Sequence, residues 1–267
     1  MQQNVIDYYN ANVQQEWNRL DKCFVENYIV QNYLDSYIKK NSSVLDLGGG
    51  PGHFSLYLSQ KGNSVLLVDI AKNNIDFANQ QARKLNCSLK TLVGDACNIE
   101  NIVRKKYDCI LLMGPIYHLI DEQDRIKTIH QCINLLKNSG VLFISFISSY
   151  SRIIYALREK PNEILDNPLL INDILQNTKE ECIYRKNPDK FLIPPNQVEI
   201  FMKQFKQLQK LQIVGCESIL GPHLNLMSQL NPETQKKWLE FAFMISNKET
   251  ALYHSEHIMY IGQKNEI

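Results

Sequence analysis

Between residues 43 and 147, short apolar runs alternate with longer amphipathic stretches. The runs fall at 43–47, 64–68, 89–93, 107–112 and 141–147. They are rich in Val, Ile and Leu and lack polar alternation, the pattern of strands covered on both faces. The stretches at 52–60, 73–85 and 122–136 have helical spacing, and the last ends at Asn138-Ser139-Gly140, a C-cap sequence. Repeated strand–helix units of this length predict an α/β fold with a doubly wound, mostly parallel sheet.

Outside this rhythm the pattern changes. Residues 5–40 read as helical, in two helices, with Ile29, Tyr33, Leu34, Tyr37 and Ile38 at helical spacing. From Ser148 to Lys190 the chain is polar and mostly helical in pattern, punctuated by Pro161, Pro168 and Pro188. A helix at 196–208 follows Pro194-Pro195. Two further strands are expected at 211–217 and 257–262, with a helical insert at 232–247 between them. The chain divides into an N-terminal helical cap (1–40), a core (41–147), a helical lid or insert (148–195) and a C-terminal completion of the core (196–267).

Composition narrows the classes. The 267 residues are 44% hydrophobic, enough for one sizeable core with appended elements. Lys plus Arg (29) nearly balance Asp plus Glu (28), and no long run of one sign occurs, which argues against a strong binder of nucleic-acid backbone. The first residues, MQQNVIDYYNANVQQEW, lack the basic and apolar regions of a secretory signal, and no apolar run is long enough to span a bilayer. The seven cysteines form no CxxC pair. They read as reduced thiols in a cytoplasmic protein, and no metal site is expected.

In an open α/β sheet, ligands bind beyond the carboxyl ends of the strands. Residues 44–55 read VLDLGGGPGHFS: a strand ending at Asp46, glycines at 48, 49, 50 and 52, and a helix start. Such a turn lets a ligand lie against bare backbone. The second strand is followed by Asp69, placed to accept hydrogen bonds from both ribose hydroxyls of a nucleoside and to reject a 2′-phosphate. After the third come Gly94-Asp95-Ala96, and after the fourth Met113-Gly114-Pro115. A dinucleotide and S-adenosylmethionine both suit this layout. The glycine spacing is one residue shorter than GxGxxG, and Asp95-Ala96 offers an acceptor and a backbone donor to an adenine edge, which favours the second ligand.

Taken in order, VLDLGGGPG, Asp69, the GDA at 94–96, YDCILLMG at 107–114 and LLKNSGVLFI at 135–144 resemble the motifs of a class I S-adenosylmethionine-dependent methyltransferase. The resemblance covers roughly residues 43–147, with a fainter echo to 264. It implies seven strands, the last antiparallel at 257–262. It also implies that Gly48, Gly49, Gly50 and Gly52 form the loop under the methionine part of the cofactor, with Asp46 near its ammonium group. Asp69 would take the ribose hydroxyls, Ile70 the adenine face, Asp95 and Ala96 the adenine edge, and Met113 the methionine end.

The sulfonium is already a potent methyl donor, so the protein has mainly to align an acceptor and exclude water. Pro115-Ile116-Tyr117-His118-Leu119 follows strand four, beside the expected methyl position, and GPxYHL there resembles a subset of bacterial small-molecule methyltransferases. His118 is the candidate base or orienting group and Tyr117 a candidate pocket wall; packing under the cofactor is the alternative for both. Tyr8, Tyr9 and Trp17 lie on the first helical segment. In resembling enzymes that segment closes over the cofactor, which makes Tyr9 a cofactor contact, and a stripe that docks the helix is the alternative. Tyr150, Arg152, Tyr155 and Arg158 either meet an acidic substrate or form a solvated face. His223, His254 and His257 read as structural. The expected function is methyl transfer to a small molecule, at O or N. A tRNA-modifying methyltransferase, a non-catalytic cofactor-binding module and a Rossmann dehydrogenase are the competing readings.

Overall fold

The computed structural model describes residues 3–167, 185–187 and 190–266. Pro168, Cys182 and Pro188, singled out in the sequence, lie outside the described residues. A single mixed sheet organises the molecule. Its strands are β1 (Ser43–Leu47), β2 (Ser64–Asp69), β3 (Leu89–Val93), β4 (Tyr107–Leu112), β5 (Leu136–Ser148), β6 (Arg185–Asn187), β7 (Lys190–Ile193), β8 (Leu208–Gly215) and β9 (His257–Lys264). The parallel part runs β3-β2-β1-β4-β5. β9 pairs antiparallel with both β5 and β8. The order reverses between β1 and β4, the switch point where ligands of such sheets bind.

All seven expected strands are present, with the last antiparallel. The structure adds two, because the segment after β5 is not wholly helical. After two helices (Ser151–Glu159 and Glu163–Asp166) it returns as the antiparallel pair β6–β7, with Ile147 opposite Leu192 and Ser148 opposite Ile193. The signal was the buried run Phe191-Leu192-Ile193 ahead of the two prolines. The helix expected at 196–208 is shorter, Pro195–Met202, because the chain turns at 203–207 to start β8 at Leu208.

Alternate residues of the central strands enter opposite cores. Ile110, Leu112, Leu142 and Ile144 face one layer with Ile129, Ile133, Val198 and Phe201; Cys109, Leu111, Val141 and Phe143 face the other with Ile29, Val30, Leu34 and Leu239. Each such burial stabilises by roughly 1.5–3 kcal/mol relative to exposure, which is why the strands carry apolar residues on both faces.

The N-terminal segment forms three helices rather than two: α1 (Gln3–Ala11), α2 (Val13–Lys22) and α3 (Phe24–Tyr37). The chain leaves helical geometry at Asn12 and again at Cys23. Those breaks let α3 bury Val25, Ile29, Val30, Tyr33 and Leu34 against the sheet layer while α1 and α2 fold over the strand ends. Among the described residues, no helix is long and apolar enough to cross a membrane.

Candidate functional site

The loop between β1 and α4 (His53–Gln60) is shaped by what its glycines touch. Gly48 has φ +71°, and a Cβ there would stand 2.4 Å from Pro115 Cγ. Gly114 is its counterpart: a Cβ on it would meet the Gly48 carbonyl oxygen at 2.4 Å. The loops after β1 and β4 therefore pack backbone against backbone. Gly50 differs. Its φ is +58°, yet a Cβ would meet only Asn74 Nδ2, at 3.9 Å. That open side faces a cleft.

Buried carboxylates brace this loop. Asp46 is 3% exposed and accepts from Ser55 Oγ at 2.7 Å. Burial pushes its carboxyl up to about 7, against the Ser55 bond and helped by the Asp69 charge. Asp69 Oδ2 accepts from the Gly50 N–H at 2.9 Å; Oδ1 accepts from the Ala71 N–H at 2.9 Å and from Asn74 Nδ2 at 3.2 Å. Burial also raises its pKa, opposed by those donors.

The cleft runs from Gly94 and Ala96 past Asp69 and Ile70 to Gly48, Gly49, Gly50 and Asp46, and on to Met113 and Tyr117. It thus brings together most of the residues expected at a cofactor site. Two sit differently. Gly52 lies at the start of α4, where a Cβ would be 3.1 Å from that of Ala78, and does not line the cleft. Asp95 does not line it either; its Oδ1 accepts from the Cys97 N–H at 2.9 Å and caps the turn at Ala96–Asn98.

The far wall comes from the N-terminal helices. Tyr9, Glu16, Arg19 and Leu20 face Tyr117 and His118 across the cleft. Tyr9 and His118 share a 2.7 Å hydrogen bond between the phenol oxygen and Nε2, with their rings edge to face at 5.4 Å. Burial pushes the Tyr117 phenol up to about 12, so it stays protonated at neutral pH. The segment carrying Tyr117 and His118 is held from behind by buried Arg125. Its Nη1 donates to the Leu119 and Ile120 carbonyls at 2.6 and 2.9 Å, and its guanidinium stacks 3.8 Å over Phe191.

Behind Arg19 lies a charged group of which the sequence reading named only His257, as structural. Arg19 grips Glu26 through two hydrogen bonds of 2.6 and 3.2 Å. Burial pushes the Glu26 carboxyl up, but Arg19 and then His257 more than reverse this, and it sits below the usual range. Glu217, two residues past β8, and His257, at the start of β9, complete the group. The available signals were a glutamate inside the apolar stripe of α3 and an acidic residue just past a strand end. Arg152 and Tyr155 line one cavity, whereas Arg158 and Tyr150 are engaged elsewhere. Arg158 bridges to Glu256 and Glu159, Arg152 pairs with Glu163, and Tyr150 meets Tyr253 edge to face.

Residues 44–140 match the family model described as "Methyltransferase domain". Among curated proteins, the chain is 28% identical over 113 residues to the glycine/sarcosine N-methyltransferase of Parasynechococcus marenigrum, covering 42% of this chain and 40% of that protein. It is 32% identical over 109 residues to the ubiquinone biosynthesis O-methyltransferase of Pelagibacter ubique, covering 41% and 43%. It is 24% identical over 114 residues to the tRNA 5-carboxymethoxyuridine methyltransferase of Escherichia coli, covering 42% of each. The matched region thus spans well under two thirds of these relatives. Among solved structures, the plantazolicin methyltransferase BamL, in complex with a desmethyl analogue and SAH, shares the fold with TM-score 0.58 at 15% identity, covering 98% of this chain and 99% of that one. With the glycine loop, the acidic strand ends and the sheet order, these findings give residues 44–140 the sequence pattern of a methyltransferase domain and the chain a Rossmann-like fold shared with a solved methyltransferase.

Proposed function

We propose that the protein transfers a methyl group from S-adenosylmethionine to a nitrogen or oxygen of a small-molecule acceptor. The observation that carries this reading is the cleft itself. It joins the open face of Gly50 to a chamber roofed by Tyr9, Glu16 and Arg19, a shape that takes a cofactor tail and a compact partner rather than a polymer backbone.

The residues fit the cofactor. Gly50 leaves room where any side chain would project into the cleft. Each Asp69 oxygen has two acceptor sites, and among the described residues Oδ2 accepts a single bond, from Gly50, so it can take a ribose hydroxyl without losing the loop. In this reading Gly48 to Gly50 hold the methionine part, Asp46 lies under its ammonium group, Ile70 and Ala96 flank the adenine and Met113 borders the sulfur end. Asp95 shapes the adenine end as a turn cap. When bound, the cofactor supplies an electrophilic methyl group on sulfur.

The chain's own residues then align the acceptor and exclude water. The Tyr9–His118 bond ties α1 to the segment after β4 across the chamber. Because Nε2 of His118 is engaged by Tyr9, His118 is assigned to closure rather than to proton removal. We place the protein in the cytoplasm, since all six described cysteines are free thiols.

The test is binding followed by transfer. Calorimetry should show S-adenosylhomocysteine binding. The protein, given methyl-labelled S-adenosylmethionine and fractionated cell extract, should then place label in the small-molecule fraction. Label in the RNA fraction instead would overturn the acceptor class, and binding without any transfer would make the chain a cofactor-binding module.

A further inference from the structure

Arg19 reaches the cleft from α2 with donors to spare. A guanidinium presents two forks for a carboxylate, one formed by Nη1 and Nη2 and one by Nε and Nη2. Glu26 takes the first: Oε2 accepts from Nη1 at 2.6 Å and Oε1 from Nη2 at 3.2 Å. Among the described residues, no hydrogen bond or ion pair engages the second fork. Glu16, one turn earlier on the same helix, accepts from the Tyr8 hydroxyl at 3.3 Å instead. The Arg19 side chain is 38% exposed while its partner Glu26 is 5% exposed, and Arg19 lines the same cleft as Gly48, Gly50, Met113 and Tyr117.

Charge points the same way. Among the described residues Arg19 is the sole lysine or arginine lining the cleft, whereas Glu16, Asp46 and Asp69 bring three carboxyl groups to it. Burial lowers the His53 pKa, so that lining imidazole is neutral at neutral pH. An anionic group entering the cleft therefore finds its counter-charge at Arg19. As a mere counter-ion for Glu26, a lysine would serve as well. The arginine differs in that a planar ion with one edge fixed holds its other edge in a set direction. Glu26 is itself fixed, because α3 packs Val25, Ile29 and Val30 into the core.

We propose that Arg19 is the carboxylate-binding residue of the cleft, its Nε–Nη2 fork taking a ligand carboxylate while Glu26, as positioning residue, holds the other fork. The proposal deepens the methyltransferase reading and rests on it. Two ligands of that reaction bring the required chemistry: the cofactor, whose methionine part ends in a carboxylate, and an acceptor that carries one. In the cofactor reading Asp46 answers the ammonium group and Asp69 the ribose, and Arg19 supplies the answer to the carboxylate.

Calorimetry with S-adenosylmethionine and its decarboxylated form isolates the group in question, since the two differ in that carboxylate alone. Arg19→Lys keeps a cation for Glu26 and loses the second fork. Arg19→Gln combined with Glu26→Gln removes both charges and leaves no buried ion unpaired. If the carboxylate is the cofactor's, the wild-type protein should prefer S-adenosylmethionine by about 10- to 150-fold. Both variants should then lose most of that preference and bind the decarboxylated form within about twofold of wild type. If it is the acceptor's, both variants should keep their cofactor affinities within about twofold. They should then label the extract small-molecule pool at least about 10-fold more slowly, and amidation of the pool's carboxylates should abolish labelling by the wild-type protein. Variants that keep both the cofactor preference and the labelling rate would overturn the proposal. So would equal weakening of the two cofactor forms, or a labelling defect on a pool that the wild-type protein still labels after amidation. Failure of the wild-type protein to bind S-adenosylhomocysteine would instead remove the methyltransferase reading on which the proposal stands.

Discussion

Gly50→Ala and Gly48→Ala should separate folding from cofactor binding. Both positions have positive φ, +58° and +71°, so each alanine brings left-handed strain of roughly 1–2 kcal/mol. For a chain of this size, 1 kcal/mol lowers Tm by about 2–4 °C. The surroundings then diverge. At Gly48 the new Cβ would lie 2.4 Å from Pro115 Cγ and 2.5 Å from Pro115 Cδ, a rigid ring that cannot swing away. Such overpacking adds roughly 1–3 kcal/mol, so Gly48→Ala should lose about 2–5 kcal/mol in all and displace the loop after β4. At Gly50 the nearest atom is 3.9 Å away, so Gly50→Ala should lose only the strain. Its methyl group would stand where the methionine part of the cofactor lies, and the same 1–3 kcal/mol of crowding there weakens binding by about 5- to 150-fold. Thermal melts and calorimetry with S-adenosylhomocysteine measure the two effects. A Gly50→Ala protein that melts within a few degrees of wild type and binds with unchanged affinity would show that the open side of the loop does not face the cofactor.

Three further outcomes follow from the same geometry. Asp46 has a folded-state pKa of about 7, far above its unfolded value, so its burial favours the native state below about pH 4 and that contribution is lost as pH rises toward 7. The change amounts to up to about 4 kcal/mol, and Asp46→Asn should flatten this part of a denaturant-derived stability-versus-pH curve. Tyr9→Phe removes the bond to His118, which is worth roughly 0.5–1.5 kcal/mol, and should speed hydrogen exchange in α1 and dissociation of S-adenosylhomocysteine with little change in Tm. Asp69→Asn keeps one acceptor oxygen where the carboxylate now takes three donors, and should lower both Tm and cofactor affinity; unchanged affinity in calorimetry would refute the placement of the ribose.

Periodicity made the sheet legible because each central strand is buried on both faces, which leaves little freedom in residue type. The glycine loop was legible for a similar reason, since backbone contact between Gly48 and Gly114 admits no side chain. Breaks that depend on tertiary contact were not legible. The α2–α3 junction at Cys23 carries no proline or glycine, and it exists because α2 must cross the strand ends while α3 lies along the sheet. The β6–β7 pair was hidden because its apolar run of three residues is too short to outweigh the helical pattern before it. The pairing of Glu217 with His257 was opaque for another reason. They lie 40 residues apart, and only the antiparallel pairing of β8 with β9 brings them into contact.

The Arg19–Glu26 pair bears on why this charge is buried at all. An apolar residue at Glu26 would extend the α3 stripe and add roughly 1.5–3 kcal/mol of burial, whereas a buried ion pair is commonly neutral or worse than a hydrophobic replacement. Stability therefore gives no reason for a glutamate there. Position does, because Arg19 lines the cofactor cleft and Glu26 reaches toward His257. The pair fixes α2 relative to α3 and sets the field on the imidazole in one contact, so closure of the chamber and the basicity of His257 are linked. Glu26→Gln should accordingly lower the His257 pKa as well as loosen α2, and Glu26→Leu should do so even if the protein becomes more stable. NMR titration of His257 in both variants, set beside their melting temperatures, distinguishes an electrostatic role from packing. A His257 pKa that followed stability rather than charge would refute the link.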